Sequence, residues 1–463
     1  MNLKIRDILD ATNGILILGD ENEECENFVN DTRIINKGDT YIGIKGKNFD
    51  GNLLWEEALN NGASTVIIEK INVEEKSLEK YANKNIIQVD NTKEALKQIA
   101  KAKRNLYKDL IVIGVTGSSG KTSTKDIIAS VVSKKYKTLK TEKNHNNAVG
   151  LPLTILNLKD HEVAVIEMGM DHLGEISELT KIAKPTISVI TNVGTSHIGK
   201  LGSRENILKA KLEILDGMDN PKLVINNDND LLNKWNNENK NIETYTFGII
   251  NKSDCMAEQI KKNENNIECI CNYKNEKFEL NIPVGNEVFV QNSLCATLIG
   301  KLLNIPTKKI QEGISGVELS GRRMEIIKLE SDITLINDSY NANPESMRGA
   351  LNYLATFNKN RKIAVLGNML DLGDYTKELH KEVGKIVAKD KIDLLILVGE
   401  FSDYIKQGAI ENGMAEKNIY SFNSNEELSK EIENIKQKGD VILFKASNFM
   451  KLFNVVEKLK EQK

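Results

Sequence analysis

The fold of the central part of the chain is decided by the stretch Ile111-Val112-Ile113-Gly114-Val115-Thr116-Gly117-Ser118-Ser119-Gly120-Lys121-Thr122-Ser123-Thr124. Its β-branched opening predicts a buried strand, and the residues from Lys121 onward predict a helix. A glycine loop between a strand and a helix presents backbone N–H groups to an anion. A lysine adds a positive charge there and a threonine hydroxyl can reach Mg²⁺, so the stretch predicts a nucleoside triphosphate site.

This loop departs from the strict phosphate-binding pattern, which places a glycine where this chain has Val115. What remains is T-G-x-x-G-K-T, a shorter variant. The alternative is a glycine/serine turn beside a surface lysine. The strand before the loop and the helix after it favour the nucleotide site.

The composition bounds the class of protein. With 463 residues, the chain is long enough for two to four domains with real cores. A net charge of −3 gives no sign of a nucleic-acid partner. The five cysteines are scattered and suggest neither a zinc site nor a disulfide framework, which fits a reducing cytoplasm. We see no signal peptide and no run of membrane length, so we expect a cytoplasmic protein without membrane insertion.

Alternating strand and helix signals predict an α/β chain with three domains. Residues 1–107 form a small α/β domain, 108–318 a central domain with a parallel sheet and the phosphate loop, and 319–463 a Rossmann-like domain. Residues 228–282 suggest a β-meander. The predicted strands of the central and third domains are 110–115, 163–167, 187–191, 223–226, 334–336, 362–366, 394–398 and 441–444.

Three polar features of the central domain are candidates for chemistry. Glu167 ends an apolar strand and is either a natural Mg²⁺ ligand or the acidic cap of the next helix. His197 follows the next strand and could bind a metal, contact a phosphate or be structural. Lys211 lies on a helix, where lysines are usually solvated, and its local spacing does not single it out.

Polar loops elsewhere leave alternatives open. In the first domain, Arg33, Lys45 and Lys47 could bind a phosphorylated ligand or lie on a solvated hairpin. Residues 144–154 offer consecutive amide side chains to a peptide or sugar, or cap a helix. In the third domain, loops 338–344 and 367–373 follow the first two strands and form a second polar rim across a cleft from the first.

Taken in order, these motifs resemble the Mur ligase family, the ATP-dependent amide-forming enzymes of peptidoglycan precursor synthesis. The family carries T-G-x-x-G-K-T, a Glu after the second central strand, N-V-x-x-x-H, an A-K segment on the next helix and an Arg opening the third domain. D-S-Y-N-A-N-P, G-x-M-L-x-L-G and D-T-R…G-x-x-F-D-G are similar to the member that adds a dipeptide. The D-N-P-R of the sibling that adds the third residue is missing.

The resemblance implies a ligase that joins D-Ala-D-Ala to UDP-N-acetylmuramoyl-tripeptide through an acyl phosphate, with ATP and two Mg²⁺ ions; we expect a monomer. It implies catalytic roles for Lys121, Glu167, His197 and Lys211. Thr122 and Glu167 would bind one Mg²⁺, and His197 and Lys211 the second, with Lys211 carbamylated. Closure of the third domain about a hinge near 317–322 would exclude water.

The remaining site residues are carried over position by position. ATP is expected at Gly117, Ser118, Ser119, Gly120, Lys121, Thr122, Ser123, Asn292, Arg323 (with Arg322 as the neighbouring candidate) and Asp338. The UDP pocket is expected at Thr32, Arg33, Lys45, Gly46, Asp50 and Gly51. Other substrate contacts are expected at Asn146, Asn147, Tyr340, Asn341 and Asn343, the last three near the dipeptide.

Two departures and two rivals qualify this interpretation. The family's K-G-S-R reads Lys445-Ala446-Ser447-Asn448 here, and Asn368 stands where Asp is usual. One rival is another ligase on the same scaffold, such as a folylpolyglutamate synthase. The other is a binding protein that hydrolyses ATP only to change shape.

Overall fold

The computed structural model describes residues 1–69, 78–330 and 332–461. Within these ranges the strands form three sheets, in the orders β1-β3-β4-β5-β6-β2, β15-β14-β13-β12-β11-β10-β7-β9-β8 and β16-β17-β21-β18-β19-β20. Each sheet belongs to a different part of the chain. The predicted fold class, three α/β domains with a parallel central sheet, is confirmed.

The N-terminal domain is parallel in the middle of its sheet and antiparallel at both edges. Its strands are β1 Leu3–Lys4, β2 Ile15–Leu18, β3 Glu24–Val29, β4 Asp39–Ile42, β5 Thr65–Glu69 and β6 Asn85–Val89, and its helices are Ile5–Thr12, Trp55–Asn60 and Thr92–Asn105. The loops after β3 and β4 lie at one edge because the two strands run parallel. The candidate UDP-binding residues lie on these loops.

The helix Thr92–Asn105 fixes this domain to the central one. Asn91 caps its start by accepting a hydrogen bond from the Glu94 backbone N–H. At its other end the buried Arg104 donates through Nε to the Ala183 carbonyl at 2.8 Å and through Nη1 to the Tyr107 carbonyl at 2.6 Å. The bond to Ala183 joins the last turn of the helix to the central domain.

The central domain carries the largest sheet of the described chain. Its strands are β7 Ile111–Thr116, β8 Thr138–Lys140, β9 Val163–Glu167, β10 Ile187–Ile190, β11 Lys222–Asn226, β12 Glu243–Gly248, β13 Cys255–Lys262, β14 Ile267–Tyr273 and β15 Glu276–Ile282. Its helices are Lys121–Val132, Gly150–Leu156, Glu175–Ala183, Ile198–Leu201, Arg204–Leu212, Asp230–Glu238, Val288–Leu302 and Thr307–Ser315.

β7 lies in the parallel part of this sheet, between β10 and β9. Its residues are almost fully buried, as expected for a strand covered by helices on both faces. The carboxyl ends of β7, β9 and β10 therefore meet at one edge, below the phosphate loop. The predicted meander corresponds to the antiparallel strands β13 to β15, but β12 before them is parallel to β11 and extends the main sheet.

The C-terminal domain is a parallel sheet with one antiparallel edge strand, β16. Its strands are β16 Glu325–Lys328, β17 Thr334–Asn337, β18 Lys362–Gly367, β19 Leu394–Val398, β20 Ile419–Phe422 and β21 Val441–Lys445, and its helices are Pro344–Ala355, Thr376–Lys389, Ser402–Glu411, Asn425–Ile435 and Phe453–Glu461. In the described ranges no helix is both long and apolar enough to cross a membrane.

The connection between the central and C-terminal domains contains three residues in the left-handed region: Gly321 at φ 42°, Arg322 at φ 50° and Met324 at φ 51°. Such residues turn the chain sharply. They overlap the predicted hinge at 317–322 and extend two residues beyond it. The hinge itself stays a prediction.

Candidate active site

The phosphate loop, residues 117–120, is shaped by two glycines in the left-handed region. Gly117 has φ 154° and Gly120 has φ 76°. A β-carbon on Gly117 would lie 1.9 Å from Thr191 Oγ1, so no side chain fits there. The helix Lys121–Val132, here named the P-loop helix, begins without a side-chain cap. Its first-turn N–H groups therefore remain available to an anion.

The Asn192 side chain fixes the phosphate loop through hydrogen bonds. Its Oδ1 accepts hydrogen bonds from the backbone N–H groups of Ser118 at 3.0 Å and Ser119 at 2.9 Å. Its Nδ2 donates to Ser119 Oγ at 2.9 Å. Asn192 stands in the N-V-x-x-x-H motif, but the sequence alone indicates no role for it.

Lys121 Nζ donates to the Gly117 carbonyl at 2.7 Å and so lies across the loop. Desolvation lowers the pKa of this ammonium, and the nearby Glu167 carboxylate opposes the shift. The lysine lines the cavity that the loop faces. It is placed to neutralise a phosphate there.

Thr122 and Glu167 meet at the carboxyl end of β9. Thr122 Oγ1 donates to Glu167 Oε2 at 2.7 Å, and Asn146 Nδ2 donates to the other oxygen, Oε1, at 2.8 Å. Glu167 is almost completely buried. A hydroxyl and a buried carboxylate at this separation form the set of hard oxygen donors that Mg²⁺ prefers, so these residues fit the ion.

A cavity of about 290 Å³ lies between the central and C-terminal domains. It brings together most residues predicted to contact ATP with three predicted near the dipeptide. The predicted residues in its lining are Ser118, Ser119, Gly120, Lys121, Thr122, Ser123, Asn292, Arg323, Asp338, Tyr340, Asn341 and Asn343. The structure thus places Tyr340, Asn341 and Asn343 on the C-terminal side of the same cavity, across from the phosphate loop.

Asn292 faces the loop from the helix Val288–Leu302. A β-carbon on Gly120 would lie 3.4 Å from Asn292 Oδ1. Its Nδ2 is buried and has no hydrogen-bond partner among the described residues. Buried donors are normally paired, so this amide group suits a ligand acceptor in the cavity.

The doubled arginine at the start of the C-terminal domain points in two directions. Arg323 Nη2 donates to Thr122 Oγ1 at 3.0 Å, and its guanidinium lies 3.7 Å from the centre of the Tyr340 ring. Arg322 instead stacks on Phe453, 3.4 Å from the ring centre. Of the two candidates, Arg323 is the residue that reaches the P-loop helix.

Asp338 and Lys445 form a buried pair at the cavity wall. Lys445 Nζ donates to Asp338 Oδ2 at 2.5 Å and to the Asn341 carbonyl at 3.0 Å. Lys445 is 2% exposed. Sequence reasoning noted the missing Arg in the Lys445–Asn448 loop but not this lysine, because its partner lies 107 residues away.

Asn343 and Glu345 dock the C-terminal domain on the central one. Asn343 Nδ2 donates to Ser196 Oγ at 2.5 Å, while Asn343 Oδ1 caps the helix Pro344–Ala355. Glu345 Oε1 accepts hydrogen bonds from Thr195 N at 2.8 Å and Thr195 Oγ1 at 3.0 Å. The two domains are therefore in direct contact beside the cavity.

His197 lies where two carboxylates converge. Its Nδ1 is 3.1 Å from Asp171 Oδ1 and 3.7 Å from Asp371 Oδ2, without the directions of a hydrogen bond. The three groups lie within 4.8 Å of one another, a spacing that a cation could bridge. Lys200 Nζ also pairs with Asp171 at 2.9 Å and with Asp371 at 3.4 Å. An ion here would therefore compete with the Lys200 ammonium.

Desolvation, followed by the positive charge of Lys121, lowers the pKa of His197 to about 4. At neutral pH the imidazole is therefore uncharged, the form that binds metals. The second-metal prediction included His197 but neither aspartate. Asp371 comes from the C-terminal domain, so only the fold reveals it.

Lys211 is 2% exposed, against the expectation that a helical lysine is solvated. It faces the interior because the helix Arg204–Leu212 buries Ile207, Ala210 and Lys211 on one side. Desolvation, and then the charge of Lys121, lower the pKa of Lys211 well below its ordinary value. Burial therefore disfavours the charged form of this amine relative to that of a surface lysine.

The predicted UDP-binding residues lie on two loops of the N-terminal domain, and none of them lines this cavity. Arg33 pairs with Asp31 at 2.6 Å and is largely exposed. Lys45 and Asp50 face each other at 3.9 Å across a tight loop. The other members, Thr32, Gly46 and Gly51, lie in the same two loops. Of residues 144–154, Asn147 takes the capping role, because its Oδ1 accepts from Gly150 N at the start of a helix. Asn146 instead donates to Glu167, and a contact of these amides with a peptide or sugar stays a prediction.

The fold and the site define a P-loop nucleotide-binding protein whose phosphate loop faces a second α/β domain. Three family models match consecutive parts of the chain. They are the Mur ligase family catalytic domain over residues 28–104, the Mur ligase middle domain over 115–300 and the Mur ligase glutamate ligase domain over 322–448. The chain belongs to the Mur ligase family, as its motifs indicated.

Relatives narrow the resemblance within the family. The UDP-N-acetylmuramoyl-tripeptide--D-alanyl-D-alanine ligase of Bacillus subtilis is 36% identical over 441 residues, covering 93% of this chain and 92% of that protein. The ligase of the same name from Synechocystis is 34% identical, covering 95% and 93%.

Solved structures agree with these relatives. A crystal structure of MurF from Acinetobacter baumannii superimposes with a TM-score of 0.88 at 27% identity, covering 100% of this chain and 99% of that one. MurF from Thermotoga maritima, solved in complex with ADP, gives a TM-score of 0.81 at 28% identity, covering 95% and 99%. Both span almost the full length of the chain.

Proposed function

We propose that this protein is an ATP-dependent ligase that joins D-alanyl-D-alanine to UDP-N-acetylmuramoyl-tripeptide and releases ADP and phosphate. The observation that carries the proposal is the cavity between the domains, where Lys121, the Thr122–Glu167 pair and Arg323 face the same space. The full-length similarity to ligases named for this reaction supports the choice of substrates. The product would be the pentapeptide precursor of peptidoglycan.

The reaction needs ATP because a carboxylate is a poor electrophile with a poor leaving group. The terminal carboxylate of the tripeptide attacks the γ-phosphorus, which forms an acyl phosphate and releases ADP. The dipeptide amine then attacks the acyl carbon, and inorganic phosphate leaves from the tetrahedral intermediate. The protein contributes positioning and charge neutralisation more than covalent chemistry.

The chain's own groups divide this task. The first-turn N–H groups of the P-loop helix and Lys121 hold the β- and γ-phosphates, with the Asn292 amide beside them. Arg323 extends toward the same end of the nucleotide from its stack on Tyr340. Asp338, which pairs with Lys445, would bind the ribose hydroxyls. The contacts of Asn343 and Glu345 with the central domain keep water from the reacting groups.

Thr122 and Glu167 would hold one Mg²⁺, and His197 with Lys211 would hold a second. Bound there, Mg²⁺ supplies neutralisation of the phosphate charge. The buried Lys211 amine, whose pKa is lowered well below its ordinary value, suits addition to CO₂, which forms an N–C bond and releases a proton, giving a carbamate. Intact-mass measurement and ¹³C NMR in ¹³C-labelled bicarbonate test this: a carbamate signal that Lys211→Met abolishes supports it, and an unlabelled wild type contradicts it.

The two remaining substrate groups follow the sequence prediction. The UDP moiety binds the loops carrying Thr32, Arg33, Lys45, Gly46, Asp50 and Gly51. The dipeptide binds near Tyr340, Asn341 and Asn343, and Asn146 and Asn147 contact the tripeptide end. We further propose that the protein acts as a monomer in the cytoplasm and serves cell-wall growth and division.

One assay decides between this function and its rivals. The purified protein is mixed with ATP, Mg²⁺, D-Ala-D-Ala and either the lysine or the meso-diaminopimelate tripeptide, and product masses are read. Ligation of the dipeptide is expected, and the preferred tripeptide identifies the third residue. Ligation of glutamate to a folate would favour a folylpolyglutamate synthase, whose solved structure shares the fold at 14% identity. ATP turnover without any dipeptide requirement would favour a binding protein.

A further inference from the structure

The P-loop helix is tied to the connection between the central and C-terminal domains through a buried aspartate. Asp126 lies four residues after Thr122 and so on the same face of the helix. Its side chain is 0% exposed. Asp126 Oδ2 accepts a hydrogen bond from the Ser320 backbone N–H at 2.8 Å, and Oδ1 accepts one from Ser320 Oγ at 3.0 Å. The carboxylate thus holds one residue of the connection at two points.

Two lysines hold Asp126 as a charged acceptor. Lys125 Nζ lies 2.9 Å from Asp126 Oδ1 and Lys140 Nζ lies 3.1 Å from the same atom. Burial by itself would raise the pKa of Asp126, but these cations and the Ser320 N–H leave that pKa below its ordinary value. Hydrogen bonds to an ionised carboxylate are stronger than bonds between neutral groups.

Ser320 in turn holds Arg323. The Ser320 carbonyl accepts from Arg323 Nη1 at 3.0 Å, while Nη2 of the same guanidinium donates to Thr122 Oγ1 at 3.0 Å. Arg323 therefore bridges the connection and the P-loop helix. The contacts close a ring that starts and ends on the P-loop helix: Asp126, Ser320, Arg323 and Thr122.

We propose that Asp126 and Ser320 are positioning residues that set the Arg323 guanidinium at the phosphate end of the nucleotide cavity. This inference rests on the proposed function only in taking a nucleotide as the ligand. It assigns the chain up to Ser320 to the central domain as a fixed anchor. The turn that follows has Gly321, Arg322 and Met324 in the left-handed region and leads into the C-terminal domain.

The test is a double-mutant cycle on nucleotide affinity, measured by calorimetry with ADP and Mg²⁺. Ser320→Ala removes the hydroxyl donor and is expected to weaken ADP binding about threefold to tenfold, the range for one hydrogen bond. Ser320→Thr keeps the hydroxyl and is expected to bind within twofold of wild type. In an Arg323→Ala background, Ser320→Ala is expected to have no further effect, because Ser320 acts through Arg323.

Ser130→Ala is the matched control. Ser130 Oγ lies on the same helix and donates to the Gly313 carbonyl at 2.6 Å, so this variant also removes a hydroxyl that ties the P-loop helix to a neighbouring segment. In the part of the chain that the structure describes, the Ser130 hydroxyl forms no hydrogen bond with Ser320 or Arg323, and Ser130→Ala is expected to leave ADP affinity unchanged. Wild-type affinity in Ser320→Ala, or an equal loss with and without Arg323, would overturn the inference. Failure of wild-type protein to ligate the dipeptide would instead refute the proposed function. The double-mutant cycle on ADP affinity could still be interpreted in that case.

Discussion

Gly199 of the central domain and Gly373 of the C-terminal domain pack backbone against backbone. Gly199 N donates to the Asp371 carbonyl at 3.1 Å, and a β-carbon on Gly199 would lie only 2.4 Å from Gly373 N. The packing of strands and helices does not by itself require two backbones to come this close. The contact lies beside His197 and Asp371. Its presence therefore indicates that the two domains are fully docked at the proposed site.

Gly199→Ala is expected to lower the rate of dipeptide ligation by roughly 10²-fold, because a displacement of about 1 Å between the domains misplaces the reacting groups. The rate of ADP release measures the loss of ligation, and small-angle scattering with bound substrates measures the displacement between the domains. Gly316→Ala is the control, since its added carbon would meet only the Glu312 carbonyl, at 3.1 Å, within the central domain. Unchanged turnover and an unchanged scattering profile in Gly199→Ala would show that full docking is not needed.

Lys121→Ala is expected to reduce ligation by roughly 10²–10³-fold, the usual cost of removing one group that stabilises developing charge. Lys121 Nζ donates across the loop to the Gly117 carbonyl, so its loss removes both a positive charge and a hydrogen bond that spans the loop. The exposed Lys134→Ala, just beyond the P-loop helix, controls for loss of a positive charge in this region. Ligation at the normal rate in Lys121→Ala would refute the proposed phosphate site.

The sequence predicted buried parallel strands well and edge strands poorly. β9 and β19 begin and end at the predicted residues because a strand covered on both faces is a continuous apolar run between turn signals. β8 and β20 lie at the edges of their sheets, are short and keep polar side chains, and were not predicted. Their apolar pattern is too weak to separate them from loops.

The candidate site also contains residues that a local motif predicts and residues whose contacts only the fold shows. Lys121 and Thr122 follow from a local motif, since the loop and the helix start are adjacent in the chain. The contact of Arg323 with Thr122 spans 201 residues, and that of Asn343 with Ser118 spans 225. Family resemblance brought Arg323 and Asn343 into the prediction, but only the fold shows what they touch. The burial of Lys211 likewise depends on which side of its helix faces the core.

Glu167→Gln is expected to raise the Mg²⁺ concentration needed for half-maximal activity by at least tenfold. The amide keeps the shape of the side chain and can still accept from Thr122, but it removes the negative charge that a divalent cation needs. Magnesium titration of ADP release measures this shift. Glu142→Gln, an exposed position on a nearby loop, is the control and should follow wild type. Equal magnesium dependence in both variants would remove Glu167 from the proposed metal site.

The depressed pKa of His197 gives the stability of the metal-free protein a defined dependence on pH. Its folded pKa is about 4, against about 6.5 in the unfolded chain, so the unfolded state binds the extra proton between these values. Stability from this group is therefore full above pH 6.5 and is lost as the pH falls toward 4, by on the order of 2–3 kcal/mol. His197→Asn should lack this loss, so its free energy of unfolding should fall less than that of wild type over this interval. Denaturant unfolding at a series of pH values without divalent cations checks the difference, with the exposed His172→Asn as control. Parallel curves for wild type and His197→Asn would show that the His197 imidazole is not held neutral by its surroundings.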